Sequence, residues 1–258
     1  MADTRAEDGV TTDDFLGGRL RIHQPKRGYR AGIDPVLLAA SVPAQAGDTV
    51  LELGCGVGTA LLCLARRVPG LSLTGIEIQP DYADLARRNA AENGFEARII
   101  TGDLAQMPAE LTQRQFSHVF ANPPYFDRAS STPARDHGRE TALGETLSLA
   151  EWIAVAARRT APKGHVCLIH RAAKLPEILT AASQHLGSLE VLPLIPRAGR
   201  AAHLVLVRGR KGGKAAFKLH AGWVLHEGAS HEVDGENYTR ATACILREGA
   251  DLPFQQVC

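Results

Sequence analysis

Asn122-Pro123-Pro124-Tyr125 joins a primary amide, two prolines of nearly fixed φ and an aromatic ring in four consecutive positions. The run before it, Phe116-Ser117-His118-Val119-Phe120-Ala121, reads as a buried strand. The tetrapeptide therefore stands at a strand's carboxyl end, where open α/β sheets hold ligands. Prolines lack the N–H that a ladder needs, so the chain leaves the sheet there in one shape. The Asn122 side-chain carbonyl and the Pro123 backbone carbonyl can then accept both hydrogens of a planar –NH2 group, and Tyr125 can stack on the plane that carries it. That combination suits methylation of an exocyclic or amide nitrogen. The bland alternative is an ordinary Pro-Pro turn after a strand.

The elements upstream weigh against that alternative. Thr49-Val50-Leu51-Glu52-Leu53 reads as a buried strand, followed by Gly54-Cys55-Gly56-Val57-Gly58 and a helical run from Thr59 to Arg67. A strand, a glycine turn and a helix N-terminus make a nucleotide-handling unit, because glycines admit close backbone approach and the helix offers free N–H groups. The Gly-x-Gly-x-Gly spacing differs from the dinucleotide pattern, and Glu52 suits a cationic or amine-bearing ligand. The next strand, Leu71 to Ile76, ends in Glu77, placed for ribose hydroxyls; a third, Ala97 to Ile100, is followed by Gly102-Asp103, placed for an adenine amino group. Acids at helix starts are commonly caps. Glu52, Glu77, Asp103 and Asn122, one per βα unit, form a repeated pattern that capping does not explain.

With these motifs the chain resembles the class I S-adenosylmethionine-dependent methyltransferases, in their Asn-Pro-Pro-Tyr amino-methylating branch. Over nearly its whole length it is similar to the bacterial tRNA1(Val) adenine N6-methyltransferases. The residues that carry this are the segment Gln24 to Ala39, Pro124-Tyr125-Phe126 with the arginine-containing loop after it, Ala161-Pro162-Lys163-Gly164-His165, and Glu236-Asn237-Tyr238-Thr239. The resemblance implies a Rossmann-like fold: a seven-stranded, mostly parallel sheet with an antiparallel terminal pair, helices on both faces and a small C-terminal extension. It implies S-adenosylmethionine as cofactor, held by Tyr29, Asp34, Glu52, Gly54, Gly56, Gly58, Glu77, Ile78, Asp103, Leu104 and Asn122. Asn122, Pro123 and Tyr125 would be catalytic, and the acceptor an adenine N6 in RNA, foremost tRNA. A glutamine amide of a translation release factor is the alternative acceptor; those enzymes resemble longer chains with a helical domain ahead of the cofactor motif, and about fifty residues precede Glu52 here. A non-catalytic RNA-binding module with a vestigial pocket is a different class, against which the intact acids and amide argue.

Charge is distributed unevenly. The net charge is only +1, yet Arg19, Arg21, Lys26, Arg27 and Arg30 fall in a stretch without acids. So do Arg197, Arg200, Arg208, Arg210, Lys211, Lys214 and Lys218. Lys26, Arg27, Arg197, Arg208 and Arg210 are accordingly expected to meet RNA phosphates. Arg128, Arg135 and Arg139, in the long polar loop from Phe126 to Thr146, are expected to do the same. A solvated surface is the competing reading for each patch.

The chain has 258 residues, 45% hydrophobic and 22% charged, enough for one sizeable core. No run approaches the roughly 20 apolar residues of a membrane span, and the polar start is unlike a secretory signal. Residues 1–14 are expected to be a disordered tail, 15–210 the catalytic domain, and 211–258 an extension on the sheet edge. Cys55, Cys63, Cys167, Cys244 and Cys258 make an odd set without a CxxC pair, so reduced cytoplasmic thiols are expected, and neither a zinc site nor any other metal site. Leu189 to Ile195 and Leu204 to Val207 follow each other with too short a link for a parallel crossover, which predicts an antiparallel pair. Oligomeric state is not legible.

Overall fold

The computed structural model describes residues 9–125, 147–228 and 237–254. The chain opens on an antiparallel hairpin, β1 (Val10–Phe15) and β2 (Leu20–Pro25). Residues 10–14, expected to belong to a tail, are thus strand residues; residues 1–8 lie outside the described residues. Side-chain amides of a neighbouring helix hold the hairpin. Asn89 Oδ1 accepts from the His23 N–H at 2.8 Å, and Asn89 Nδ2 donates to the His23 carbonyl at 3.1 Å. Asn93 repeats this pattern with both backbone groups of Arg21, so two amides take the place of a missing strand partner.

After α1 (Asp34–Ser41), whose first turn contains Pro35, comes the main sheet. It alternates β3 (Thr49–Leu53), α2 (Thr59–Arg67), β4 (Ser72–Glu77), α3 (Pro80–Glu92), β5 (Ala97–Thr101), α4 (Ala109–Thr112) and β6 (Phe116–Ala121). It continues with α5 (Leu149–Arg159), β7 (Thr160–Arg171), α6 (Leu175–Ser183), β8 (Gly187–Arg197) and β9 (Leu204–Arg210). Strands β7-β6-β3-β4-β5 are parallel neighbours in that order. β8 and β9 form the expected antiparallel pair, and β9 lies between β7 and β8. The sheet-edge extension expected after residue 210 supplies two short strands, β10 (Lys218–Leu219) and β11 (Trp223–His226), which add in parallel to the outer edge of β8 and bring the sheet to nine strands.

Helices α1, α2 and α3 cover one face, burying Val36, Leu37, Leu61, Leu64, Ala83 and Ala86. Helices α4, α5 and α6 cover the other with Leu111, Ile153, Ala156, Ile178 and Ala182. A capping box between Ser148 and Glu151 starts α5. Beyond β11, α7 (Arg240–Ala243) and a π turn over Cys244–Glu248 return to α1. Trp223 Nε1 donates to Thr242 Oγ1 at 3.0 Å, and the Leu252 N–H reaches the Ala40 carbonyl at 2.8 Å. Residues expected to form an extension therefore share the main core through Trp223, Ile245, Leu252 and Phe254. Among the described residues no helix is long and apolar enough to cross a membrane.

Candidate active site

Parallel pairing brings the carboxyl ends of β4, β3 and β6 to one rim, with Glu77, Gly54 and Asn122 following in step. The glycine turn at its centre exists for conformational reasons. Gly54, Gly56 and Gly58 take φ of +61°, +54° and +84°, a region that costs other residues about 1–2 kcal/mol. A Cβ on Gly54 would lie 2.6 Å from Trp152, whereas one on Gly56 would meet nothing within 4 Å. The turn is closed where a neighbour packs and open where a ligand could approach. Cys55 is buried, and Gly75 leaves room for its sulfur; burial holds the thiol well above its ordinary range, which removes it as a nucleophile.

Glu77 shapes that turn. Its Oε2 accepts from the Gly56 N–H and its Oε1 from the Gln79 N–H, both at 2.9 Å. A carboxylate has about four lone-pair sites, so two remain for ribose hydroxyls. Ile78, next in sequence, is 41% exposed although large and apolar, and Leu104 is buried close to the end of the neighbouring β5. Asp103 is half-buried with Oδ1 taking the Ala105 N–H at 2.8 Å. An open glycine cradle, spare carboxylate acceptors and an uncovered apolar side chain fit an adenosyl group. When bound, S-adenosylmethionine supplies an electrophilic methyl group on a sulfonium centre.

Glu52 is buried and its Oε2 accepts from the Leu61 N–H at 2.9 Å, inside the first turn of α2. Burial raises its pKa well above the carboxylate range, opposed by the Leu61 N–H and reinforced by Glu77. The acid expected to face a ligand amine thus also caps a helix.

Around Asn122 the covering segment closes in. Asn122 is half-buried, and its Nδ2 donates to Tyr29 Oη at 3.3 Å, with Oδ1 still able to accept. Tyr29 is 53% exposed as a residue, but its hydroxyl end is desolvated and near Asp34 and Glu52, so its pKa rises to about 12. Tyr29 is held in turn by Tyr82, whose hydroxyl accepts from the Tyr29 N–H at 3.0 Å, and Gly28 (φ +101°) permits that approach. Tyr125 Oη donates to Asp34 Oδ2 at 2.8 Å, and burial raises the Asp34 pKa against that hydrogen bond. Pro123 is buried beneath.

Two neighbours of Tyr125 were not foreseen. His170 meets its ring edge-on at 5.0 Å between centroids, and the Arg171 guanidinium lies 5.5 Å over the ring. Burial holds His170 below the usual imidazole range despite the carbonyl of Pro124. Both residues end β7, beside β6, and the strand-end rule that singled out Glu77 applies equally to them.

The expected phosphate contacts divide. Lys26 and Arg27 are exposed on the segment that carries Tyr29. Arg197 ends β8 on the site's side of the sheet, donating to the Glu227 carbonyl and to Asn237 Oδ1. Arg208 and Arg210, expected beside the site, lie elsewhere. They pair with Cys167 and His165, toward the opposite end of β7 from His170. Antiparallel β9 starts at the rim and runs away from it, so Arg210 stands roughly 20 Å from Leu204 at about 3.3 Å per residue. Arg208 is bound there to Glu190 at 3.3 Å and stacks on Phe254. Arg128, Arg135 and Arg139 lie outside the described residues. Among the described residues no group of three or more His, Cys, Asp or Glu could hold a metal ion.

Residues 50–134 match the family model of a methyltransferase domain. A tRNA1(Val) (adenine(37)-N6)-methyltransferase of Porphyromonas gingivalis is 35% identical over 189 residues, 69% of this chain and 73% of that one. The protein of the same name from Aeromonas hydrophila is 32% identical over 77% of this chain and 84% of its own. Among solved structures, a predicted O-methyltransferase from Agrobacterium tumefaciens superposes with a TM-score of 0.68 at 26% identity, covering 85% of this chain and 98% of that one. The T. thermophilus 16S rRNA N2 guanine methyltransferase, solved with AdoMet and guanosine, shares the fold at a TM-score of 0.55 and 19% identity, over 78% of this chain and 50% of that one. With the glycine turn and the Asn122 amide on one rim, this chain is an S-adenosylmethionine-dependent N-methyltransferase and belongs to the tRNA1(Val) (adenine(37)-N6)-methyltransferase family.

Proposed function

We propose that the protein methylates the N6 amino group of an adenine in tRNA, adenine 37 of tRNA1(Val) as in the names of its relatives, and so acts in the cytoplasm. The observation that carries this is the Asn122 amide, held through Nδ2 by Tyr29 at the cofactor rim with Oδ1 left to accept. Asn122 Oδ1 and the Pro123 carbonyl would take the two N–H groups of the adenine, orienting the nitrogen lone pair toward the cofactor cradle. Acceptors of this kind strengthen as positive charge builds on the nitrogen. Tyr125 offers the base the ring face opposite Arg171, and stacking of this type contributes roughly 1–3 kcal/mol, against a few kcal/mol for extruding a base. Tyr29 stays protonated at neutral pH, and the amine proton leaves to water after transfer.

Incubation with labelled S-adenosylmethionine and tRNA, followed by nucleoside digestion and mass analysis, tests the reading. The expected product is N6-methyladenosine, and Asn122→Ala should lower transfer by on the order of 10²–10³ while cofactor affinity stays within a few fold. Label appearing in a release factor instead of tRNA, or an Asn122→Ala enzyme of near-normal rate, would overturn it.

A further inference from the structure

With Arg208 and Arg210 at the far end of β9, other cations must flank the acceptor site. Strand register identifies them. Arg171 at the end of β7 pairs with Leu204 at the start of β9, and the Ala172 N–H donates to the His203 carbonyl at 2.8 Å. The β8–β9 connection, with a turn closed by the Arg200 N–H on the Arg197 carbonyl, therefore follows the same rim that Asn122 begins. Going outward from β6, the rim presents Arg171, His203, then Arg200 and Arg197. Arg171, Arg200 and His203 are exposed. The acid nearest to Arg171 in sequence, Glu177, is paired with Lys174 at 3.0 Å, and Arg197 uses the Glu227 backbone. Three strand spacings of about 4.8 Å separate β6 from β8, so the strip extends roughly 14 Å from the tetrapeptide, enough for two or three consecutive phosphates.

We propose that Arg171 and Arg200, with His203 between them, form the track on which the RNA backbone lies beside the target base, across the ends of β7, β9 and β8. This rests on the reading of the acceptor as an adenine in RNA. Arg171 is the pivotal member, since its guanidinium also lies over the Tyr125 ring and so joins the phosphate track to the base platform. Such contacts position the nucleic acid without reading its sequence.

The test is RNA binding without turnover, by fluorescence anisotropy of an anticodon stem-loop at several salt concentrations. Each lost phosphate contact should reduce the slope of log affinity against log salt by about 0.7–0.9. The pair Arg171→Gln/Arg200→Gln should therefore flatten it by roughly 1.4–1.8 and raise Kd by on the order of tenfold at low salt, with S-adenosylmethionine affinity unchanged. Arg210→Gln/Lys214→Gln removes equal charge at the far end of β9 and should leave the slope as it is. Retention of the slope in the rim pair, or its loss in the far-end pair, would overturn the assignment. Because binding is read directly, a wild-type enzyme that binds RNA but methylates none counts against the proposed reaction and not against the track.

Discussion

Tyr125 of the tetrapeptide and Asp34 at the start of α1 are joined by a 2.8 Å hydrogen bond across 91 residues of chain. Asp34 follows the segment that carries Tyr29, and Tyr29 bonds Asn122, so the covering segment and the acceptor tetrapeptide are tied at two points. The position of the covering segment and the shape of the tetrapeptide are thus coupled.

Removing the hydroxyl should loosen that coupling. Tyr125→Phe keeps the ring but forfeits a bond to a carboxyl, a class of interaction contributing about 1.5–3 kcal/mol when charged. Methyl transfer should fall by roughly 10- to 100-fold, and Asp34→Asn, which still presents an acceptor oxygen, should lose less. Steady-state rates at saturating cofactor compare the two; equal and small losses would show that the bond is idle.

Glu52 makes stability depend on pH. Its pKa is raised in the folded protein, so its favourable contribution is complete below the unfolded value near 4.5 and vanishes as pH rises through the folded one. Glu52→Gln removes that penalty. The variant should melt at a higher temperature than wild type at pH 8, with the gain shrinking toward pH 5, while S-adenosylmethionine binding weakens. Thermal melts at both pH values and calorimetric titration with the cofactor check this; a gain that grows on acidification contradicts it.

Gly54 is constrained twice, by φ and by Trp152. Gly54→Ala should cost about 1–2 kcal/mol from backbone strain alone and more from the indole contact. Adding Trp152→Phe relieves the second cost and leaves the first. Denaturant unfolding of the single and double variants separates them, and full rescue by the double variant would show that φ carries no penalty.

Asn89 is fully buried and also donates to the Val57 carbonyl at 2.9 Å, linking the hairpin to the glycine turn. Asn89→Ala strands three backbone groups and should destabilise by roughly 1–3 kcal/mol, whereas the exposed contacts of Asn93 should matter less. Hydrogen exchange at Ile22 and His23 reports the local part, which should accelerate more than exchange in β3.

Much of this molecule was written locally. Apolar runs ending in Glu77, Gly54 and Asn122 dictated a parallel sheet with a ligand rim, because strand length, glycine chirality and proline stiffness act between near neighbours. The predicted helix Thr59–Arg67 coincides with α2, and the expected β8–β9 pairing followed from loop length alone. What composition could not convey was direction and distance. Arg208 and Arg210 look like partners of Arg197 in a basic stretch, yet β9 is antiparallel and carries them away from the site, while Arg171, outside that stretch, arrives beside Tyr125. The Asp34–Tyr125 bond and the two asparagines that edge the hairpin likewise belong to no local pattern. They depend on how the chain returns upon itself, and only three-dimensional packing decides which distant polar groups satisfy one another.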